Sequence, residues 1–308
     1  MTTSHEELLD ELRPAAFAIA YRMLGSVAEA EDVVQETLLR VHGALQEGQQ
    51  IDSPRAYAAT VATRLAIDQL RSARARRESY VGEWLPEPLV ADSADDPARH
   101  AEMADSLSLA FLVLLESLSP EQRAVLLLRD VFDYGFDEIA EIVGKSEDNT
   151  RQLASRARRH VEERRARFDA SRAQRDELAR RFFAAAEQGD LTGLEELLAE
   201  DVVLHGDGGG KVPALARSLH GRGRVARTLL AWTRQGARIP GASIRQVVVN
   251  GQPGAPLLVG DDKVLGVWAL DIADGQVQGI SSIVNPDKLR HVGPIADLRT
   301  LLKQRETS

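Results

Sequence analysis

Residues 136–167, FDEIAEIVGKSEDNTRQLASRARRHVEERRAR, predict two helices joined by a tight turn. Residues 137–143 carry apolar side chains at helical spacing, and Gly144 follows where a helix commonly ends. Ser146 is placed to cap the second helix. One side of that second helix consists of small residues, which allow close packing on the first helix: Thr150, Ala154, Ala157 and Val161.

The opposite side of the second predicted helix is polar and basic. Its candidate DNA-contacting residues are Arg151, Gln152, Ser155, Arg156 and Arg159. Such side chains donate to phosphates and base edges, and nine basic against five acidic residues between Lys145 and Arg172 make the segment locally positive. The pattern is typical of a helix-turn-helix whose second helix enters a major groove. An ordinary helical hairpin with a solvated basic face fits the same pattern.

Composition limits what the whole chain can be. Its 308 residues predict two or three domains, and a hydrophobic fraction of 44% suffices for real cores. A net charge of −9 repels DNA, so we expect a partner to supply most of the affinity for DNA. The absence of cysteine excludes disulfides, thiolate metal sites and cysteine catalysis. We expect a soluble cytoplasmic protein, because no stretch resembles a signal peptide or a membrane span.

The amino-terminal region, about residues 6–77, reads as helical and separates its charges. Between His5 and Glu47 there are nine acidic residues against three arginines. The helix within residues 28–45 has a polar face with Asp32, Gln35 and Glu36, which suits a basic protein partner. A solvated helix face explains the same pattern without any partner.

The helix after Ser53-Pro54 has the opposite charge. Arginines crowd its second half, and an aromatic residue and two threonines lie one to two turns upstream; the set is Tyr57, Thr60, Thr63, Arg64, Arg71 and Arg74. Aromatic stacking and phosphate contacts together suit a DNA strand whose bases are unstacked. An exposed basic helix end is the alternative.

Three blocks follow one another: DVVQETLLRV at residues 32–41, the arginine-rich helix, and a helix-turn-helix ending RARRHVEE. Their order and spacing resemble a bacterial RNA polymerase sigma factor of the extracytoplasmic-function class, over about residues 7–165. The resemblance implies two all-α domains that bind core RNA polymerase and promoter DNA. In that family the acidic helix binds the clamp helices of the beta-prime subunit, the next helix melts and reads the minus-ten element, and the helix-turn-helix reads the minus-thirty-five element. The beta subunit is a further implied partner.

The resemblance assigns roles to individual residues. Core-polymerase binding goes to Asp32, Val33, Gln35, Glu36 and Arg40. The six residues of the arginine-rich helix named above are assigned to the minus-ten element, and the five of the second motif helix to the minus-thirty-five element. One departure is Gly135, which stands where such helices usually have a capping Ser or Thr, so we expect a weaker helix start there.

Past Ala173 a further unit is predicted, with helices first and strands afterwards, which implies an α+β fold. The predicted strands are residues 243–250, 256–260, 264–272 and 276–284. This order resembles a SnoaL-like cone, a curled antiparallel sheet with an apolar pocket. The strings WLPEP (84–88), DGGGK (207–211) and NPDKL (285–289) resemble those of the SigJ-like group of sigma factors, which carry a fused SnoaL-like domain.

The expected domains are residues 1–80 (sigma region 2), 81–105 (linker), 106–170 (sigma region 4), 171–290 (SnoaL-like) and 291–308 (tail). Composition predicts an extended linker, because residues 83–105 hold seven acids and one base, Arg99. Trp84 is unusual in such a segment, since an indole is expected to pack against something.

Two functions are open for the last domain. In the first it regulates the sigma factor in cis by contacting the linker, through Trp84, Pro86, Asp207, Lys211, Asn285, Pro286 and Asp287. In the second it is an enzyme or small-ligand sensor fused to a DNA-binding module, with His205 and Asp207 as acid–base candidates and Trp232 and Trp268 as pocket walls. A glycine turn with a capping residue and a core histidine explains His205 and Asp207 structurally, and we favour that interpretation. We expect no cofactor, no metal and no catalysis.

Overall fold

The computed structural model describes residues 5–78, 80–91, 106–162, 171–297 and residue 301, with the side chains of residues 73–78 excepted. The chain divides into two units. The first comprises residues 1–79 and 114–165, and the second comprises residues 80–113 and 166–308. Within the described ranges, no helix has the length and apolar character needed to cross a membrane.

The first unit is helical. Its helices are α1 (His5–Leu24), α2 (Val27–Gln46), α3 (Pro54–Glu78), the end of α4 (Leu109–Leu115), α5 (Pro120–Asp130), α6 (Phe136–Val143) and α7 (Glu147–Glu162). Helices α1 to α3 pack together around buried apolar residues that include Ala20, Leu24 and Val34. The Ser26 hydroxyl accepts from the Glu29 N–H at 3.3 Å and caps α2, just after Gly25 with its positive φ.

The predicted helix-turn-helix is confirmed. Gly144 has left-handed backbone angles at the end of α6, which glycine adopts without a Cβ clash. Ser146 accepts from the Asn149 N–H at 3.3 Å and caps α7. At the start of α6, Gly135 offers no side-chain cap, and the Glu138 carboxylate accepts from its N–H at 2.8 Å instead.

The second unit pairs helices with one sheet, so the expected α+β fold is confirmed. The expected antiparallel sheet is corrected to a mixed one, because β2 and β8 pair in parallel. Its helices are the start of α4, α8 (Arg172–Gln188), α9 (Leu191–Leu197) and α10 (Arg222–Gly236). Its strands are β1 (Val90–Ala91), β2 (Leu198–Asp207), β3 (Leu219–His220), β4 (Ser243–Ile244), β5 (Val247–Val249), β6 (Gln252–Val259), β7 (Lys263–Ala273) and β8 (Gln276–Ile283). The order across the sheet is β1-β5-β6-β7-β8-β2-β3, with β4 beside β6, and β2 runs parallel to β8.

The two faces of the sheet have different covers. Successive side chains of a strand point to opposite faces. Leu204, Trp268 and Ile280 point to the face covered by α8, α9 and α10. Val267, Ala269 and Ile283 point to the other face, which the segment of residues 80–91 and the start of α4 cover with Leu85 and Leu109.

The expected extended linker is therefore corrected in its first part. Residues 80–91 lie against the sheet, Leu85 is fully buried, and Val90 and Ala91 form an edge strand antiparallel to β5. Burial of apolar side chains and pairing of backbone groups hold this part in place, which composition alone does not reveal. The rest of the expected linker, residues 92–105, lies outside the described residues.

Strand β6 also departs from prediction, since it begins at Gln252 and not at Pro256. Asn250 and Gly251 both have positive φ and form a two-residue hairpin turn between β5 and β6. Asn-Gly suits that turn, because both central residues need left-handed backbone angles.

Candidate functional surfaces

The exposed side of α7 presents the five predicted DNA-contacting residues together. Arg151, Gln152, Ser155, Arg156 and Arg159 are all exposed. The predicted inward stripe, Thr150, Ala154, Ala157 and Val161, is buried. Arg151 is already engaged, because it pairs with Glu147 and its guanidinium lies 4.6 Å from the centre of the Phe136 ring.

Arg158, a neighbour of that row, has a structural role. Its guanidinium Nε donates to both carboxylate oxygens of Asp130, at 2.9 and 3.1 Å, and so joins α7 to α5. The hydrogen bond and the charge of Asp130 raise the pKa of Arg158. This fork geometry distinguishes Arg158 from the outward arginines on either side of it.

The outward face of α2 carries most of the predicted polymerase-binding residues. Asp32, Gln35 and Arg40 are exposed, and Arg40 donates to Glu36 at 2.8 Å. Val33 is corrected: it is 6% exposed and packs in the core, since it lies on the apolar side of α2. Sequence reasoning missed Leu39, which is 65% exposed and lies one turn from Gln35 and Glu36.

On α3, Thr60 and Tyr57 are partly exposed, and the Thr60 hydroxyl donates to the Ala56 carbonyl at 2.9 Å. Thr63 is corrected, because its side chain is fully buried and its hydroxyl has no hydrogen-bond partner in the described part of the chain. A buried Thr63 cannot reach DNA while α3 is packed this way. The side chain of Arg74 lies outside the described residues.

Arg64 and Arg71 are engaged within the first unit. Arg64 donates to the Ile142 and Glu141 carbonyls, at 2.9 and 2.8 Å. These carbonyls end α6, where a cation is favoured by the helix dipole. Arg71 donates to Glu121 at 2.6 Å and to Asp68 at 3.1 Å, and the Glu121 hydrogen bond raises the pKa of Arg71.

A second constellation forms in the other unit around the buried carboxylate of Asp207. The Leu85 N–H donates to its Oδ2 at 2.9 Å, and the Tyr80 hydroxyl donates to its Oδ1 at 2.5 Å. The Gly209 N–H adds a bond at 3.0 Å, and the Lys288 ammonium pairs with Oδ2 at 2.7 Å. Asp207 is fully buried, so these donors replace the water that the carboxylate has lost. We call this set, Tyr80, Trp84, Leu85, Asp207, Asn285 and Lys288, the latch.

Lys288 contacts several other members of the latch besides Asp207. Its ammonium also donates to the Leu85 carbonyl and lies 4.2 Å from the centre of a Trp84 ring. The Asn285 amide donates to the Tyr80 hydroxyl at 2.8 Å, and burial raises the pKa of Tyr80 well above its usual range. The strings WLPEP, DGGGK and NPDKL therefore meet at one place, and Trp84 packs on a cation.

The exposed edge of the latch has a second lysine–aspartate pair. Lys211 donates to Asp287, and Arg290 donates to the same carboxylate at 2.9 Å. The Lys211 hydrogen bond, partly offset by burial, holds the pKa of Asp287 below its usual range. Pro286 opens the short 3-10 helix of residues 286–288, which the Asn285 side chain caps at the Asp287 N–H. Pro86 is buried beside Leu85.

Glu83 and His205 contact each other on the face of the sheet that residues 80–91 cover. His205 Nδ1 lies 2.7 Å from Glu83 Oε1, and the Ser218 hydroxyl lies within 3.1 Å of both groups. Burial raises the pKa of Glu83, but the hydrogen bonds and charge of His205 outweigh it and leave that pKa below its usual range. Burial raises the pKa of nearby Asp271 to about 7, and the charge of His205 partly offsets that rise.

The acid–base candidates and the proposed pocket walls lie on opposite faces of the sheet. His205 and Asp207 face the covering segment, whereas Trp268 faces the helices, donates to Ser282 at 3.0 Å and lies 6.3 Å from the Trp232 ring. Strand alternation imposes this separation. Across the described ranges, no group of three or more metal-ligating side chains is placed to hold a metal ion.

Comparison with known proteins places three families on the chain. Residues 8–76 match Sigma-70 region 2, residues 108–161 match Sigma-70 region 4, and residues 179–280 match the SnoaL-like domain. The chain is 40% identical over 288 residues to the ECF RNA polymerase sigma factor SigJ of Mycobacterium tuberculosis, covering 91% of each. The chain belongs to the ECF sigma factor family.

Other relatives agree with this assignment. The probable ECF RNA polymerase sigma factor SigI of Mycobacterium tuberculosis is 33% identical over 274 residues, covering 88% of this chain and 90% of the relative. The crystal structure of Mycobacterium tuberculosis SigJ superposes with a TM-score of 0.74 at 36% identity, covering 91% of this chain and 96% of that one. The predicted family, fold class and partners, core RNA polymerase and promoter DNA, are thereby confirmed.

Several residues of this ECF sigma factor were missed by sequence reasoning. Lys288 lies inside NPDKL, yet nothing in the sequence marks it as the buried cation. Tyr80 and Glu83 flank WLPEP, and their partners lie more than 100 positions away in the chain. A polar residue next to a motif was the available signal, but only the fold identifies its partner.

Proposed function

We propose that the SnoaL-like domain regulates this ECF sigma factor in cis by holding the linker through the latch. The observation that carries the proposal is the Lys288 ammonium, which joins Asp207 of the domain to the Leu85 carbonyl and the Trp84 ring of the linker. A buried cation with partners on both segments couples them directly. An exposed contact would be far weaker.

The latch restricts where the linker can go. While Leu85 and Trp84 are held against the sheet, that part of the linker is unavailable to any other surface. Its release requires Asp207 to lose two donors from residues 80–85, so release costs free energy that a partner has to supply. Promoter activity then depends on whether the latch holds or releases residues 80–85 of the chain.

Transcription with purified core polymerase tests this coupling. Lys288→Met and Trp84→Ala should each change the yield of promoter-specific run-off transcript at least about threefold, since about 1 kcal/mol shifts an equilibrium fivefold. Arg290→Met is the control and should leave the yield unchanged, because it removes an exposed cation that bonds Asp287 beside the latch. If both latch variants transcribe like the wild type, the regulatory proposal is wrong.

The core-polymerase contact is assigned to the exposed face of α2, formed by Asp32, Gln35, Glu36, Leu39 and Arg40. Acidic groups around one exposed apolar side chain suit a basic helical partner, because charge complementarity orients the contact and Leu39 gives it apolar area. The double variant Asp32→Lys, Glu36→Lys should abolish co-purification with core polymerase and keep the fold. Glu47→Lys, at the exposed end of the same helix, is the control for a charge reversal outside this face. Normal co-purification of the double variant would refute the assignment.

The minus-ten contact is assigned to Tyr57, Thr60, Arg64, Arg71 and Arg74, and the minus-thirty-five contact to the exposed row of α7. Arg64 and Arg71 have to exchange their present protein partners for phosphates, which are stronger acceptors for a guanidinium.

The SnoaL-like domain performs no chemical step in this function. His205 is engaged by Glu83 and Ser218, on the face of the sheet opposite Trp268. The variant His205→Gln keeps a side-chain donor for Glu83 and removes the acid–base group, so it should keep promoter-specific transcription within about twofold of wild type at neutral pH. A loss beyond tenfold, with the fold and core binding intact, would indicate that the domain contributes more than a contact.

A further inference from the structure

Asn250 has a position that its turn alone does not explain. It is the first residue of the two-residue turn between β5 and β6, with φ 51°, followed by Gly251 with φ 72°. Asn is common in that turn because it tolerates positive φ. At such a turn the side chain can remain in water, yet Asn250 is 2% exposed. Burial of a primary amide requires partners for its oxygen and its nitrogen.

The partners of Asn250 come from two separate parts of the chain. Its Oδ1 accepts from the Leu89 N–H at 2.8 Å, and its own N–H donates to the Leu89 carbonyl at 2.8 Å. Its Nδ2 donates to the Leu107 carbonyl at 2.9 Å. One amide group thus binds the end of the segment that covers the sheet and the start of the segment that leads into α4.

Both of these segments continue into the second unit's core. Leu89 directly precedes β1, which pairs with β5. Leu107 is followed by Leu109, which is 2% exposed and packs with Val267 and Ala269 on the same face of the sheet. Apolar packing therefore holds the chain near Leu89 and near Leu107, and Asn250 adds hydrogen bonds to both positions.

We propose that Asn250 is a positioning residue that holds Leu89 of the linker and Leu107 of sigma region 4 close together. The chain between Leu89 and Leu107 could span roughly 60 Å if fully extended, at about 3.3–3.6 Å per residue. With both ends on one side chain, Leu89 and Leu107 stay within reach of a single amide group. Any state of the sigma factor that separates these ends has to break a bond to Asn250.

This fastening is independent of the latch. Asp207 ends β2, and Asn250 follows β5, with β6, β7 and β8 between those strands. Strands spaced about 4.8 Å apart put the two sites roughly 19 Å from each other across the sheet. The linker is therefore held at two places, by a buried charge cluster at Leu85 and by a neutral amide at Leu89.

Amide hydrogen exchange on the full chain tests the independence of the two sites. Asn250→Gly removes the side chain and keeps a residue that suits the turn. It should speed exchange of the Leu89 N–H about tenfold and leave the Leu85 N–H unchanged. Lys288→Met should do the reverse. Unchanged Leu89 exchange in Asn250→Gly, or joint acceleration of both amides in both variants, would overturn the proposal.

A distance measurement tests the double attachment. The chain has no cysteine, so Ala91→Cys with Ala110→Cys provides two label positions without background. The distance distribution between spin labels should be narrow in this protein and broaden when Asn250→Gly is added. Asn250→Asp keeps the oxygen that accepts from Leu89 and loses the donor to Leu107, so it should broaden the distribution while Leu89 exchange stays slow. A distribution that is equally broad with Asn250 intact would refute the fastening.

The consequence for transcription rests on the proposed regulation in cis, and the two can fail separately. If exchange and distances change as expected but run-off transcription by Asn250→Gly equals wild type, the fastening stands and the regulatory proposal loses support. If transcription changes without altered exchange at Leu89, the role given to Asn250 is wrong.

Discussion

Two lysines near the latch show how burial decides what a charged residue does. Lys288 is 6% exposed and forms an ion pair with the fully buried carboxylate of Asp207. Lys211 has a half-exposed side chain and pairs with Asp287, whose side chain is also accessible. The two ion pairs have the same chemistry, but water screens only the second.

Stability measurements should separate the two lysines. Lys288→Met leaves the carboxylate of Asp207 buried without its cation, so it should lower the free energy of unfolding by about 3–5 kcal/mol. Lys211→Met should cost about 0–1 kcal/mol, since its pair is screened by solvent. Urea unfolding of both variants beside wild type checks the difference. Equal small effects would mean that the remaining donors, Tyr80, Leu85 and Gly209, suffice for Asp207.

Asp271 should give stability an unusual pH dependence. Its pKa is about 7 in the folded chain because of burial, and about 3.8 when unfolded. Between these values the folded chain keeps the proton and the unfolded chain releases it, so stability falls as pH rises from about 4 to 7. Above pH 7 the full penalty applies, on the order of 4 kcal/mol at 1.36 kcal/mol per pKa unit.

The variant Asp271→Asn removes that penalty. Its free energy of unfolding should exceed that of wild type at pH 8, with a difference that shrinks as pH falls toward 4; urea midpoints across this range measure it. Glu83 affects stability over a different pH range. Its lowered pKa stabilises the fold above about pH 4.5, and that contribution is lost as the pH falls further. A variant parallel to wild type at every pH would show that Asp271 ionises normally.

At the scale of the element, α7 divides its arginines between two tasks. Its inward face is made of small buried residues that let it lie close to α6. Arg158 joins it to Asp130 of α5, whereas Arg156 and Arg159 are exposed. A helix held on one side by packing and an ion pair presents its other side in a fixed orientation, as base recognition requires.

Alanine variants on α7 should follow this division. Arg156→Ala and Arg159→Ala should each weaken minus-thirty-five-dependent promoter binding by about 1–3 kcal/mol without affecting core binding or thermal stability. Arg158→Ala is the matched control and should lower the unfolding temperature, because it breaks the contact with Asp130. Footprinting and run-off transcription with core polymerase report the first effect. Normal transcription by the Arg156 and Arg159 variants would place the recognition surface elsewhere.

At the scale of the whole molecule, charge separates what the chain can do alone from what it does with a partner. The net charge of −9 opposes the locally positive surface of α7. Affinity for DNA that does not depend on sequence comes from neutralising phosphates with cations, and the charge of this chain supplies little of it.

Gel mobility with a promoter duplex should show this dependence. The chain alone should leave the duplex unshifted at about 0.15 M salt, where charges are screened beyond roughly 8 Å. Addition of core polymerase should give a promoter-specific complex that weakens as salt rises. A specific shift by the chain alone at this salt concentration would show that the helix-turn-helix needs no partner for affinity.

The sequence by itself determined the local elements and the family. Gly144, Ser146 and the small-residue stripe of α7 act within a few positions of one another, so spacing alone predicted the helix-turn-helix. The same holds for the outward row of α7, since helical periodicity determines which residues share a face. The order of helices and strands was enough for the α+β assignment of the last domain.

Only the tertiary structure decided which distant residues share a site. The Lys288–Asp207 pair, the bonds from the Asn250 side chain to Leu89 and Leu107, and the burial of Thr63 depend on contacts between segments far apart in sequence. The same is true of His205 and Trp268, which face opposite sides of one sheet because of strand register. Local periodicity carries no information about such contacts, because the free energy of burying and pairing these groups arises after the strands have assembled.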